Sequence, residues 1–562
     1  MNKLSIPFIL SLFFYISPIN AKVPKVVSKS AKALAKVVTY NKAGDLIGNS
    51  VAFFAGQSNE AYSEYEIFKN ATRAEVIDAS GKKIEVKRIC GADEIYDVIK
   101  FTTESAPKQS LEIAEKAEVQ GSKVYIISSA TTKKAVTVEA EISDVKAVNG
   151  GSYYTLKSEY KEQYVGTPVL NAEGRVVGIV QRNADSNDKN IYAISADFAS
   201  KLSVKALSYG DAALNVINIP KQLPTEEKEA TTYLYMLSQT TADSLLYSIA
   251  LNDFIEQHPQ SADGYIERAK FYGSTNRFTE CENDINRAIE LSENKDNPHY
   301  VFSKIIYQNS LYNSTKAQAA GWSLERAVSE AQAAYAANPL PIYQLQQGDC
   351  YFGMKDYAKA AECYGQVNRS SISSPETFFY EAKAKENLKA PTDEIIVLLD
   401  SAIARFAKPY DKKVAPYLWE RAELLNVAGK YREAVLDYKE YEHVVGFNNL
   451  NDNFYYRREQ AAVEGKMYQQ AIDDINRAIA LKPNDYFYNV ERASLMVRLG
   501  MFEEAIRSAN TAIQLNNEGT DAYRIIGIAY GESKQKKLCI ENLEKAVELG
   551  DEHAQELLDQ YK

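Results

Sequence analysis

Between about residue 30 and residue 205 the apolar positions come in short runs rich in Val, Ile, Tyr and Thr, such as Ala35–Tyr40, Lys123–Ile127 and Arg175–Val180. β-Branched and aromatic side chains pack well on a pleated surface, so each run predicts a strand. Turn formers separate them at Ser80-Gly81, Asn149-Gly150-Gly151, Glu173-Gly174 and the polar stretch Asn183–Asp188. Many short strands at this spacing predict an antiparallel barrel or sandwich. Residues 206–231, with Pro220, Pro224 and the run Glu226-Glu227-Lys228-Glu229, read as a linker. From residue 232 the apolar period changes from two to 3.6 and stays there, which predicts helices to the end of the chain.

The helical part repeats. Asp-Ile-Asn-Arg-Ala-Ile occurs at 284–289 and again at 474–479, and Glu-Arg-Ala at 267–269, 420–422 and 491–493. The small or aromatic residue late in each unit falls at Ala288, Ala334, Val367, Ala402, Tyr441, Ala478, Ala512 and Ala546, spaced by 46, 33, 35, 39, 37, 34 and 34. The 46 marks an insertion around Ser310–Gln318. Small residues on one helix (Ala422, Ala493) facing small residues on the next (Ala434, Ala505) let two helices approach closely. Phe278, Tyr357, Tyr431, Tyr468 and Phe502 fill the gap at one recurring position. No unit buries its apolar face alone, so stacking makes the core. A period near 34 resembles the tetratricopeptide repeat (TPR). The resemblance implies an all-α solenoid of about eight units over 232–550, closed by a capping helix at 551–562. It also implies a concave groove whose contacts come from exposed positions of each unit's first helix. Matching those positions gives Ile266, Trp419, Glu423, Tyr456, Gln460, Val490 and Arg524 as candidates for binding a peptide or protein partner.

Composition narrows the chemistry. The chain has 562 residues and a formal net charge of −10, with 45% hydrophobic and 25% charged residues. That is ordinary for globular protein and too long for a single core. The acidic balance argues against a general nucleic-acid binder. Lys3, the apolar run Ile6–Ile16 and Ile19-Asn20-Ala21 read as a signal peptide over 1–21, with a retained anchor as the alternative. The expectation is therefore a periplasmic or extracellular protein without a later membrane span. Five cysteines, Cys90, Cys281, Cys350, Cys363 and Cys539, are odd in number and scattered, so small buried residues are the expectation, with Cys350 and Cys363 the only local pair. No metal-ligand pattern or cofactor motif stands out, and none is expected.

Four stretches of the β-rich region resemble the trypsin-like serine endopeptidases of the Deg type. They are Gly48–Phe54, Tyr65–Ala71, Tyr96–Phe101 and Gln163–Ile179, the last reading Gln-Tyr-Val-Gly-Thr-Pro-Val-Leu-Asn-Ala-Glu-Gly-Arg-Val-Val-Gly-Ile. The resemblance implies a double β-barrel over 22–205. It places Glu66 where the family has its catalytic histidine, Asp97 at the aspartate and Val165 at the nucleophile. Valine has no proton to lose and no lone pair to attack with. The four histidines, His258, His299, His443 and His553, all follow this region. Glu66 facing Asp97 would raise one carboxyl's pKa, either as an acid/base dyad or cation site, or as a disused site with one carboxylate turned to solvent. Lys69 and Lys100 are candidates to neutralise it. Gln163 and Tyr164 alter the oxyanion-binding turn.

The chain is thus expected to be multidomain, an all-β trypsin-like double barrel followed by an all-α TPR solenoid. The leading function is a non-catalytic, exported interaction scaffold with protein or peptide partners in the cell envelope. The alternatives are a peptidase using an unrecognised nucleophile such as Thr167 or Ser158, and a periplasmic chaperone.

Overall fold

The computed structural model describes residues 23–56, 59–128, 136–183, 188–240 and 244–562. The expected signal peptide lies outside the described residues, as do residues 184–187 of the polar turn. The chain divides into two compact units, Met1–Phe271 and Tyr272–Lys562.

The first unit holds twelve strands among its described residues: β1 (Leu34–Tyr40), β2 (Leu46–Phe54), β3 (Glu60–Ser63), β4 (Arg73–Asp78), β5 (Lys83–Asp93), β6 (Val98–Thr103), β7 (Lys123–Ser128), β8 (Val136–Val148), β9 (Gly151–Lys157), β10 (Pro168–Leu170), β11 (Val176–Val180) and β12 (Ile191–Ser195). They close into two six-stranded antiparallel barrels, β1-β2-β3-β6-β5-β4 and β10-β11-β12-β9-β8-β7. Traced from its first strand, the second barrel repeats the order of the first. Closure leaves no unpaired sheet edge. Val37, Val76, Ile89, Ile99 and Phe101 fill the first barrel, and Val124, Ile126, Ile142, Tyr154 and Leu156 the second. A third cluster with Phe53, Tyr62, Val98, Ile127, Leu170 and Ile194 draws on both barrels and joins them. Each such fully buried aromatic or aliphatic side chain contributes about 1.5–3 kcal/mol.

The stretch read as a linker is packed structure. Ala206–Gly210 and Ala212–Asn215 form helical turns, and Leu214, Ile217, Ile219 and Leu223 are buried in the first barrel's core cluster. The backbone is tied down as well: Ile89 donates its N–H to Pro220 (2.9 Å), Gln222 to Ile89 (2.9 Å) and Asn218 to Ala71 (2.7 Å). The charges that suggested a linker open the helix Glu227–Thr240, while the apolar residues before them face the barrel. Helices Glu227–Thr240 and Ser244–Gln257 join the same core through Tyr233, Leu234, Leu251 and Phe254. These two helices and most of a third, Ala262–Ser274, all expected in the repeat array, therefore belong to the barrel unit.

The second unit is all-helical. Its hairpins include Pro341–Gly353 with Tyr357–Asn368, Ala415–Val427 with Tyr431–Val445, Asp452–Glu464 with Tyr468–Leu481, Tyr486–Arg498 with Phe502–Leu515, and Thr520–Glu532 with Lys536–Glu548. Glu552–Tyr561 follows as a terminal helix, with the Asp551 side chain accepting the Ala554 N–H. Ala422, Ala434, Ala471, Ala493 and Ala505 are fully buried at the crossings. Within several hairpins the turn needs a left-handed residue, supplied by Gly429 (φ 74°) and Gly500 (φ 72°) but also by Lys466 (φ 56°). The expected insertion holds the extra short helix Ser314–Ala319. Arg458 and Asp474 form a bidentate pair (2.7 and 2.9 Å) with both side chains almost wholly buried, and Glu442 takes a further Arg458 N–H at 2.7 Å.

All five cysteines are free thiols, so Cys350 and Cys363 are not paired. Among the described residues no helix is long and apolar enough to cross a membrane, and no group of three or more His, Cys, Asp or Glu side chains is arranged to hold a metal ion.

Candidate functional site

Where the barrels join, a loop from each comes into contact through Arg182 and Glu64. From the first barrel, β3 runs into Glu64-Tyr65 and the short turn Glu66–Phe68, and Asp97 sits immediately before β6. From the second, the turn Glu162–Tyr164 leads through Val165 and Gly166 into β10, and Gln181-Arg182 follows β11. Gly166 has φ 74°, and a Cβ there would lie 3.0 Å from the Val51 carbonyl oxygen of the first barrel. Only glycine satisfies both the left-handed backbone and that approach. Glu66 and Asp97 are thus adjacent in the first barrel, and Gly166, next to Val165, approaches Val51 and Glu64 of that barrel.

Asp97 adopts φ 43° and accepts the Glu66 backbone N–H at 2.8 Å. Its carboxyl is pushed up from 3.8 to about 6, first by burial. The Glu66 N–H opposes this, Glu64 adds to it, Arg182 opposes it and the Glu66 charge adds least. The expected like-charge effect therefore exists, but burial outweighs it and Glu64 contributes more than Glu66. The Glu66 carboxylate is turned outward, 59% exposed, and pairs with Lys69 at 2.8 Å. Lys69 also holds Glu94, and both carboxylates raise its pKa. Lys100 does not neutralise this pair; it is engaged with Glu60 and the Ser200 carbonyl, each at 3.1 Å.

Residue matching missed a charged cluster beside Asp97, whose pKa Glu64 and Arg182 both influence. Arg182 donates to Glu64 at 2.7 Å and pairs with Glu162. Burial opposes the Arg182 charge, and Glu64 more than offsets it, so its pKa is raised. The Glu64 side chain is only 3% exposed, so Arg182 is the cation that makes its burial tolerable. These residues are 118 positions apart, and no local sequence signal links them.

The turn before Val165 is closed on itself. Tyr164 donates its N–H to Lys161 (2.9 Å) and Val165 its N–H to Glu162 (3.1 Å). A developing oxyanion at this place would find the Val165 donor already bonded to a carbonyl. Of the alternative nucleophiles, Thr167 is fully buried and its hydroxyl donates to the Tyr164 carbonyl at 2.6 Å, while Ser158 is half-buried.

Residues 52–179 match the family model described as a trypsin-like peptidase domain. The double barrel is a trypsin-like peptidase domain. Similar solved structures include the active form of the Rv3671c protease of M. tuberculosis, 16% identical, covering 35% of this chain and 92% of that one with a TM-score of 0.29. An inactive form of the same protease is 15% identical, with 31% and 89% covered and a TM-score of 0.26. No curated protein matches the chain at a significant level.

In the helical unit the candidate binding residues fare differently. Trp419 is half-buried in an aromatic cluster with Tyr438 (5.7 Å), Tyr441 (5.4 Å) and Phe454 (6.2 Å). With Phe379, Tyr441 and Asn453 it lines a cleft of about 690 Å³. Glu423 accepts from Tyr438 (2.5 Å) and Arg457 (2.8 Å). Tyr456 packs on Phe487 and Tyr488, Gln460 is exposed beside Glu459, and Arg524 is committed to Asp521 and Asp551. Two positions expected to face a groove are buried instead: Val490 is 7% exposed among Ala493, Ala509 and Ile526, and Ile266, which belongs to the first unit, is 3% exposed. The apolar side of a first helix is wider than the repeat pattern implies, and these residues sit on it.

Proposed function

We propose that this protein is a non-catalytic, exported interaction scaffold, in which a degenerate trypsin-like domain accompanies a TPR array that binds protein or peptide partners of the cell envelope. The observation that carries the reading is Val165, which stands at the nucleophile's position with its N–H donated to the Glu162 carbonyl. Attack requires a side chain that can be deprotonated, a base to take the proton and a free oxyanion donor. Val165 lacks the first, Glu66 pairs with Lys69 in place of an imidazole, and the Val165 N–H is spent within its own turn. The TPR assignment rests on the spacing near 34 residues and on small residues at the hairpin crossings; export rests on the signal-like segment 1–21. Binding through the array is supported by the cleft at Trp419, since aromatic residues in a recess dominate interface energetics.

The test is affinity purification of the full chain from its native envelope, wild type beside Trp419→Ala and Tyr456→Ala, with identification by mass spectrometry. A defined partner lost from the Trp419 variant supports the scaffold. A broad set of unfolded chains retained by both variants favours the chaperone and overturns it.

A further inference from the structure

A separate cavity in the barrel unit holds a cation without a counter-charge. The turn Val216–Lys221 leaves the short helix Ala212–Asn215 and passes beneath helices Glu227–Thr240 and Ser244–Gln257. Between these elements lies a cavity of about 300 Å³, walled by Tyr209, Leu214, Ile217, Tyr233 and Ile249 and also lined by Lys221. Its size falls at the lower end of the range for small-molecule sites, about 300–1,000 Å³, and its wall combines aliphatic and aromatic groups with the neutral polar residues Ser208, Asn215 and Asn218 and one charged anchor.

That anchor is the Lys221 ammonium. It donates to the Ile217 carbonyl at 2.5 Å and to the Ile219 carbonyl at 2.8 Å. An ammonium carries three N–H donors, so one remains. Among the described residues no charged group acts on Lys221, and no Asp or Glu lines the cavity. Burial alone draws its pKa down to about 8, which leaves it charged at neutral pH. A desolvated cation with only neutral partners is an unfavourable arrangement that an anion relieves. Two carbonyl bonds pin the turn, yet a neutral donor would pin it at lower desolvation cost.

We propose that this cavity binds a small organic carboxylate with an apolar body, its headgroup on Lys221 and its chain among Leu214, Ile217, Tyr233 and Ile249. The carboxylate accepts the third N–H and completes a charge-assisted pair. A single cation with one free donor suits a monoanion. This inference is independent of whether the trypsin-like domain is catalytic.

The experiment is isothermal titration of the full chain with butanoate, hexanoate, octanoate and decanoate, with octanol and octylamine as neutral and cationic controls. At least one carboxylate is expected to bind saturably, at least tenfold tighter than either control. Lys221→Met should abolish that binding and Lys221→Arg should keep it within a few-fold. Because Lys221→Met also removes the two carbonyl bonds, Ile249→Trp, which fills the cavity and leaves Lys221 in place, is expected to abolish binding too. The absence of saturable binding by all four carboxylates would overturn the proposal. So would octanol binding as tightly as octanoate, or carboxylate binding unchanged in Lys221→Met or Ile249→Trp.

Discussion

Replacing Asp97 by Asn should remove a pH dependence that the trypsin-like domain owes to one carboxyl. In the folded chain Asp97 holds its proton up to about pH 6, against 3.8 for an unperturbed aspartate. Between these values the folded state binds more protons than the unfolded state, so stability falls as pH rises from about 4 to about 6 and stays lower above it. The shift of about two units corresponds to about 3 kcal/mol, at 1.36 kcal/mol per unit. Asn keeps the side-chain oxygen that accepts the Glu66 N–H at 2.8 Å and does not titrate. Relative to wild type, Asp97→Asn should therefore gain about 2 kcal/mol between pH 4 and pH 7, the rest of the shift lying below pH 4. Both tryptophans, Trp322 and Trp419, lie in the helical unit, so their fluorescence does not report on the barrels. The assay is native-state hydrogen exchange of peptides covering β3 and β6, with intrinsic exchange rates corrected for pH, at pH 4, 5, 6 and 7. Opening free energies of the two proteins that run parallel across this range would refute the reasoning, because burial would then not be raising the Asp97 pKa.

Three further outcomes follow from packing. Gly166→Ala places a Cβ 3.0 Å from the Val51 carbonyl at φ 74°, and it should destabilise the barrel unit by about 1–3 kcal/mol, read by the same exchange peptides. Arg458→Met leaves Asp474 buried and unpaired and should cost the helical unit about 3–5 kcal/mol, seen as a lower urea midpoint by Trp fluorescence; the double change Arg458→Met with Asp474→Leu should recover most of it. Trp419→Ala should lower stability by about 2–4 kcal/mol through the lost contacts to Tyr438, Tyr441 and Phe454, whereas Gln460→Ala, at an exposed position, should shift the urea midpoint negligibly.

Local patterning made the two architectures legible before any coordinates. Val37, Val76, Val124 and Ile126 alternate or cluster as strands require, and Ala422, Ala434, Ala493 and Ala505 mark where helices cross. The chain-specific parts were harder to see. Pro220, Pro224 and four charged residues hid Ile217, Ile219 and Leu223, whose side chains seal the first barrel. Lys466 occupies a left-handed turn where its hairpin relatives use Gly429 and Gly500, which blurs the unit boundary. At the candidate site, matching residues one by one located Glu66, Asp97 and Val165, but the Glu64–Arg182–Glu162 cluster joins segments far apart in sequence. The closed turn at Glu162–Val165 is a matter of backbone direction, which residue identity does not specify. Val490 shows the same limit in the array: its spacing suits a groove position, but packing against the following hairpin buries it.

The trypsin-like domain is proposed not to catalyse peptide hydrolysis. The most direct test is to incubate the purified full chain with a fluorescein-labelled unfolded protein and, in parallel, with a fluorophosphonate probe. Neither substrate cleavage nor probe labelling above a heat-denatured control is expected. Cleavage or labelling that disappears on changing a single residue, Thr167→Ala or Ser158→Ala, would contradict the proposal.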